Sequence, residues 1–139
     1  MSVFTEVELD YLTGNRLLGR LATVGANGMP HVAPVGWRLD ADVVVITGRN
    51  FSDTKKFRDV AATGRAAIVI DDVLPPWQAR GVEIRGRAEA VEAPEPQIRI
   101  RPTRIASWGL DGERSARTVR PDPTGPPANG SPTSEAPTR

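Results

Sequence analysis

The chain has no cysteine and a single histidine, His31, among its 139 residues. The first absence removes disulfides, thiolate nucleophiles and cysteine-based metal sites together. The second rules out a histidine-rich metal site and leaves a serine hydrolase one place to find its base. His31 follows Pro30 in an extended stretch, where it serves either as a structural or surface residue or as part of a ligand-pocket wall. Charge of one sign is also lacking, since 18 basic side chains face 17 acidic ones. Composition therefore gives no electrostatic reason to expect nucleic acid or an anionic membrane as partner. The opening "MSVFTEVELDYL" has no basic segment leading into an apolar run, and no apolar run reaches the ~20 residues that span a bilayer. The expected setting is the cytoplasm. The length suits one domain with a real core.

Paired carboxylates occur at Asp71-Asp72, but neighbours on a strand point to opposite faces. The pair reads as a strand-end turn signal rather than as general acid and base.

In "FTEVELDYLTGN", Thr5 and Glu8 form a capping box, Phe4 acts as a hydrophobic staple and Gly14 ends the helix. Val7, Tyr11 and Leu12 are its expected core face. Two apolar runs then flank "GANG", where Asn27-Gly28 signals a hairpin. "DVVVIT" and "RAAIVIDD" are buried strands by their β-branched runs. Between them, "GRNFSDTKKFRDVAATG" gives a loop and a helix. Ser52 or Asp53 is its expected N-cap, Phe57, Val60 and Ala61 its apolar face, and Gly64 its stop. "VLPPWQAR" reads as a loop. "GVEIRGRAEAVEA" alternates, with Val82, Ile84, Gly86 and Ala88 on one face, until Val91 falls out of parity and predicts a bulge or interface. "IRIRPTRIASWGL" alternates again. About six strands and two short helices with little βαβ alternation predict a mostly antiparallel barrel over residues 1–112. Residues 113–139, rich in Pro, Gly and Ser, are expected to be a disordered tail.

Chemistry concentrates in two places. Thr47, Gly48 and Arg49 close a buried strand with a hydroxyl, a glycine and a guanidinium, a set suited to phosphate. Thr54, Lys55 and Lys56 follow across a short loop. Both lysines fall in the first turn of a helix, where unpaired N–H groups already carry partial positive charge. Either they point into water, or an anion belongs there. The strand His31, Val32, Ala33, Pro34 and Val35 is small, apolar and weakened by proline, a surface on which a flat ring can lie. No side-chain set reads as able to run a reaction alone, so a bound cofactor is expected to supply the reactivity. The arginines at positions 99, 101, 104, 114, 117 and 120 read mostly as a solvated strand face, with contact to an extended acidic ligand group as the second reading.

"GRLATVGANGMPHVAPVGW", "TGRNFSDTKKFRDV", "GVEIRGRAEAV" and "IRIRPTRIASWGLDG", in this order, resemble the pyridoxamine 5'-phosphate oxidase-like flavin and deazaflavin oxidoreductases. The match runs from about residue 3 to residue 112. Within that family the chain resembles the subgroup predicted to use coenzyme F420, which includes reductases of tetracycline antibiotic assembly. The resemblance implies a six- to seven-stranded antiparallel split β-barrel with two or three short helices. It implies a homodimer with cofactor sites at the interface. The phosphate would be held by Lys55, Lys56 and the Thr47–Arg49 strand end, and the ring would lie along the His31 strand. The strand containing Gly81 would contribute to the dimer and to the cofactor edge. The implied activity is hydride transfer from reduced F420 to an activated double bond of a small organic substrate. FMN is the alternative cofactor, and a non-catalytic carrier of flavin, haem or lipid the alternative role. Classical members end in a tryptophan and an arginine-leucine motif that close on substrate. Here "ASWGLDGERSART" stands instead, so the vitamin substrate does not carry over.

Overall fold

The computed structural model describes residues 1–111 and 113–119. Helix α1 spans Glu6–Gly14 and opens with the expected capping box between Thr5 and Glu8. Strands β1 (Gly19–Val24) and β2 (Pro30–Val35) form the hairpin signalled by Asn27-Gly28, with Gly28 at φ +81°. A short strand β3 (Arg38–Asp40) pairs with β4 (Val43–Ile46). A 3₁₀ turn at Phe51–Asp53 leads into helix α2 (Lys55–Thr63), which stops at Gly64 in the left-handed region. Strands β5 (Arg65–Leu74), β6 (Gln78–Val91), β7 (Gln97–Trp108) and β8 (Ser115–Thr118) complete the chain.

All strands join one antiparallel sheet in the order β2-β1-β5-β6-β7-β4-β3, with β8 also on β7. Strand β4 takes Ile98–Ile100 of β7, and β8 takes Arg104–Ser107. The terminal strands β2 and β3 do not pair with each other, so the barrel is split. Its inner face carries Leu21, Ile68, Ile70, Val82, Ile84, Ile98, Ile100 and Ile105, closed by Phe57 and Val60 of α2 and Tyr11 and Leu12 of α1. The outward residues of β6 are charged, as alternation predicts.

Eight strands replace the six or seven expected. Strand β3 was missed because its two-residue connection to β4 is Ala41-Asp42, and Ala41 adopts φ 54° without the glycine or asparagine that usually announces such a turn. Ala41→Gly is therefore expected to stabilise the fold by about 0.5–1 kcal/mol in urea titration, despite glycine's entropic cost.

Several boundaries differ for physical reasons. The expected loop "VLPPWQAR" is mostly ladder, because Asp71 to Leu74 pair with Gly81 to Gln78 and only Pro75, Pro76 and Trp77 turn the hairpin. Asp71-Asp72 thus lies inside a strand. Its carboxylates do face opposite ways, one to Arg20 and one to Arg80. The bulge expected near Val91 falls instead at Thr103, where Arg85 pairs with Arg104 while Gly86 already pairs with Pro102. Proline has no N–H to donate, and a bulge is where a strand tolerates it. A side chain on Gly86 would strike the Arg101 carbonyl. The expected break at residue 113 is also displaced, since Ser115–Thr118 form β8. Residues 120–139, including Arg120, lie outside the described residues.

Candidate functional site

The first turn of α2 is built by its cap. Thr54, rather than Ser52 or Asp53, is the N-cap, and its hydroxyl accepts from the Phe57 amide at 3.3 Å while donating to the Phe51 carbonyl at 2.7 Å. Thr54 is thus spent on folding. Lys55 and Lys56 become the first two helical residues. Among the described residues, neither of their backbone amides has a hydrogen-bond acceptor, as expected at an open helix start.

The two ammonium groups part company. Lys55 Nζ reaches back to Asp59 Oδ1 at 2.9 Å. Asp59 is 4% exposed and also accepts from Thr23 Oγ1 at 2.9 Å. Burial pushes the Asp59 carboxyl up, but hydrogen bonds from Lys55 and Thr23, with the charge of Lys55 and nearby His31, outweigh it. The carboxyl stays below its ordinary range, so Lys55 faces a fixed anion near neutrality. Lys56 instead sits over the Phe51 ring, 5.7 Å from its centroid. Phe51 packs edge-on against Phe57 and lies against Gly48, where a Cβ would come within 3.0 Å of the ring.

Sequence reasoning missed Asp59, Thr23 and Gly25. Asp59 was readable from its i+4 spacing to Lys55. It takes the inward place expected for Ala61, which is exposed. Gly25 has no such signal. A Cβ there would lie 2.6 Å from Asp59 Oδ1, so the hairpin loop must be bare where the carboxylate approaches.

Of the expected site residues, one group comes together around the α2 start. His31 stands opposite Thr23 across the β1–β2 ladder, which brings it to the Lys55–Asp59 pair. Thr47, Gly48 and Arg49 are exposed beyond the end of β4, joined to Lys56 through Phe51. On β2, Val32 and Pro34 face outward, Ala33 is half-buried and Val35 is in the core. Among the described residues, the outer edge of this strand has no neighbour in the sheet. Gly81 does not join the group. Thr23 aligns through Ala66 with Gly86, and Gly81 lies five residues further along β6, about 17 Å away. There it packs against Asp71 and Trp108.

Tyr11 lies in the core, as expected. Its hydroxyl donates to Asp72 at 2.8 Å. Burial first, then the bond and charge of Asp72, drive the phenol above its ordinary value.

The family model described as pyridoxamine 5'-phosphate oxidase matches residues 6–124. The chain belongs to this family. A 5a,11a-dehydrotetracycline/5a,11a-dehydrooxytetracycline reductase of Streptomyces rimosus subsp. rimosus is 41% identical over 125 residues, covering 81% of this chain and 87% of that protein. Among solved structures, a heme binding protein from Mycobacterium smegmatis superposes with a TM-score of 0.66 at 20% identity, covering 84% of this chain and 59% of that one. An F420 reductase superposes at 0.54 and 24% identity, covering 69% and 94%. At those identities the two structures speak to the fold, which is the family's split barrel. The pyridoxamine 5'-phosphate oxidase match and the reductase relative together place the chain among oxidoreductases. No helix among the described residues is long and apolar enough to cross a membrane.

Proposed function

We propose that the chain is a coenzyme F420-dependent reductase acting on an activated double bond of a small organic substrate, of the kind met in tetracycline-type antibiotic biosynthesis. The observation that carries this reading is the 41% identity to a dehydrotetracycline reductase over most of both chains. The donor set fits a phosphate-bearing cofactor. Two lysines and two amides without acceptors stand in the first turn of one helix, the exposed Arg49 lies in the loop before it, and the buried Asp59 is already neutralised by Lys55.

In this reading Lys55, Lys56 and the amides of the first turn hold the phosphate. Asp59 and Thr23 orient Lys55, so little side-chain entropy is lost when it binds. The open edge of β2 offers backbone polar groups and small side chains, from His31 to Val35, to a flat ring. When bound, the reduced deazaflavin supplies the hydride. The protein supplies position and a dry face. Because Gly81 stands far from the lysines within one protomer, a ligand meeting both would do so in a homodimer, with the second copy closing the site.

The test is a fluorescence titration of the purified chain with oxidised F420 and, separately, FMN. Selective binding of F420, followed by oxidation of the reduced form in the presence of a dehydrotetracycline, is the expected result. A yellow protein that holds FMN and ignores F420 would replace this reading with the FMN-dependent alternative.

A further inference from the structure

Beyond the end of β2 the chain turns through Gly36 and Trp37 into β3. The loop after α1 crosses the same region, and Trp37 Nε1 donates to the Leu17 carbonyl at 2.8 Å, tying the two together. Between them lies a groove of about 540 Å³. Its apolar lining is Leu12, Leu17, Leu18, Trp37 and Leu39. Leu12 is in the core, whereas Leu18 is 60% exposed. A Cβ on Gly36 would meet nothing within 4 Å, so the groove is open on that side.

Two guanidinium groups, Arg16 and Arg38, belong to the same lining and are exposed. Five arginines of the described sheet are paired, while Arg65, Arg87 and Arg101 make no ion pair or side-chain hydrogen bond among the described residues. Arg20, Arg80, Arg85, Arg99 and Arg117 each meet a carboxylate. Arg16 and Arg38 make no ion pair or side-chain hydrogen bond among the described residues. An apolar trough of ligand size with two unengaged cations is complementary to a flat apolar body carrying an acidic group.

We propose that this groove seats the organic substrate, a fused-ring or similarly flat molecule with an ionised carboxylic or enolic acid. The inference rests on the reductase reading for the name "substrate". The binding claim itself stands on the groove. Its place supports the assignment, since β2, the strand offered to the cofactor ring, runs directly into Gly36 and Trp37. Trp37 and the leucines take the ring system, while Arg16 and Arg38 take the acid.

The experiment uses anthracene-2-carboxylate and its neutral analogue anthracene-2-carboxamide, titrated by fluorescence into the full chain. The acid is expected to bind at least about tenfold more tightly than the amide, as charge-assisted hydrogen bonds to guanidinium imply. Arg16→Gln/Arg38→Gln should abolish that preference. Arg16→Lys/Arg38→Lys, which keeps the charge, should keep part of it. Both positions are exposed and unengaged, so the variants should fold, which circular dichroism checks. Equal binding of acid and amide, a preference that survives the glutamines, or no binding of either probe would overturn the proposal. Oxidised F420 titrated into Arg16→Gln/Arg38→Gln should bind as in wild type. If the probe behaves as expected but F420 fails to bind wild type, the groove stands and the reductase reading falls.

Discussion

Arg117→Ala is expected to destabilise the fold by about 2–4 kcal/mol. The reason is Glu8, which is 1% exposed. Its carboxylate receives Arg117 Nη2 at 2.7 Å and Nη1 at 2.9 Å, Ser107 Oγ at 2.8 Å and the Thr5 amide at 3.0 Å. Arg117 also donates to the Val3 carbonyl at 2.8 Å. One guanidinium thus pins β8 to α1 and the N-terminal segment. Removing it leaves a buried anion with only neutral donors. The figure sits below the roughly 3–5 kcal/mol found for fully buried pairs, because the Arg117 side chain is 28% exposed and water can reach its place. Against a typical stability of about 5–15 kcal/mol, such a loss is readily measured by urea denaturation.

The same pair sets an acid limit. Burial pushes the Glu8 carboxyl up. Hydrogen bonds from Arg117, the Thr5 amide and Ser107, with the charge of Arg117, outweigh it and hold the carboxyl below its usual range. Asp72 is likewise lowered, chiefly by its bond from Arg80, and Asp59 by Lys55 and Thr23 against its burial. A lowered folded value means that ionised carboxylates stabilise the fold above the ordinary carboxylate pKa of about 4, and that this contribution is lost as pH falls through the folded values. Wild type should therefore unfold steeply below about pH 4, and Arg117→Ala should show a shallower acid limb, having already lost the Glu8 share. A Glu8→Met/Arg117→Met variant should recover much of the stability, since apolar replacement of both partners removes the desolvation cost that single truncation exposes. An unchanged urea midpoint in Arg117→Ala would show that the pair carries no net stability.

Glu8 also marks where the sequence could be read and where it could not. Its capping-box role follows from spacing to Thr5, a local property. Its pairing with Arg117, 109 positions away, depends on β8 landing on β7, and four residues of "SART" carry no apolar signal for a strand. The same division holds throughout. Strands with unbroken β-branched runs, such as Val43–Ile46, and clean alternation, as in Val82 to Ala88, were legible because burial fixes their pattern. Strand β3 and the Val73–Leu74 end of the β5–β6 hairpin were not, since half-exposed ladder needs no apolar code. At the site, the lysines stood out as cations at a helix start. Thr23 and Gly25 did not, because their importance lies in a contact between hairpin and helix that no local rule contains.

The two lysines should separate in the laboratory, and that separation is the sharpest check on the cofactor site. Lys55→Ala/Lys56→Ala is expected to weaken F420 binding by about 100-fold, from the loss of two charge-assisted contacts at about tenfold or more each. The single variants should behave differently in folding. Lys56 rests over Phe51 with no carboxylate partner among the described residues, so its removal trades a weak cation–π contact of about 0.5 kcal/mol against relief from the helix dipole. Lys56→Ala should leave the urea midpoint nearly unchanged while costing about tenfold in F420 affinity. Lys55→Ala strands the buried Asp59 carboxylate with Thr23 alone and should cost about 1–3 kcal/mol of stability besides its affinity loss. Asp59→Asn supplies the converse, because Lys55 then keeps a neutral partner and its charge is released toward the helix start. Riboflavin, which lacks a phosphate, should be indifferent to Lys56→Ala. If Lys56→Ala binds F420 as wild type does, the cation at the second helical position serves no ligand, and the phosphate must be held elsewhere.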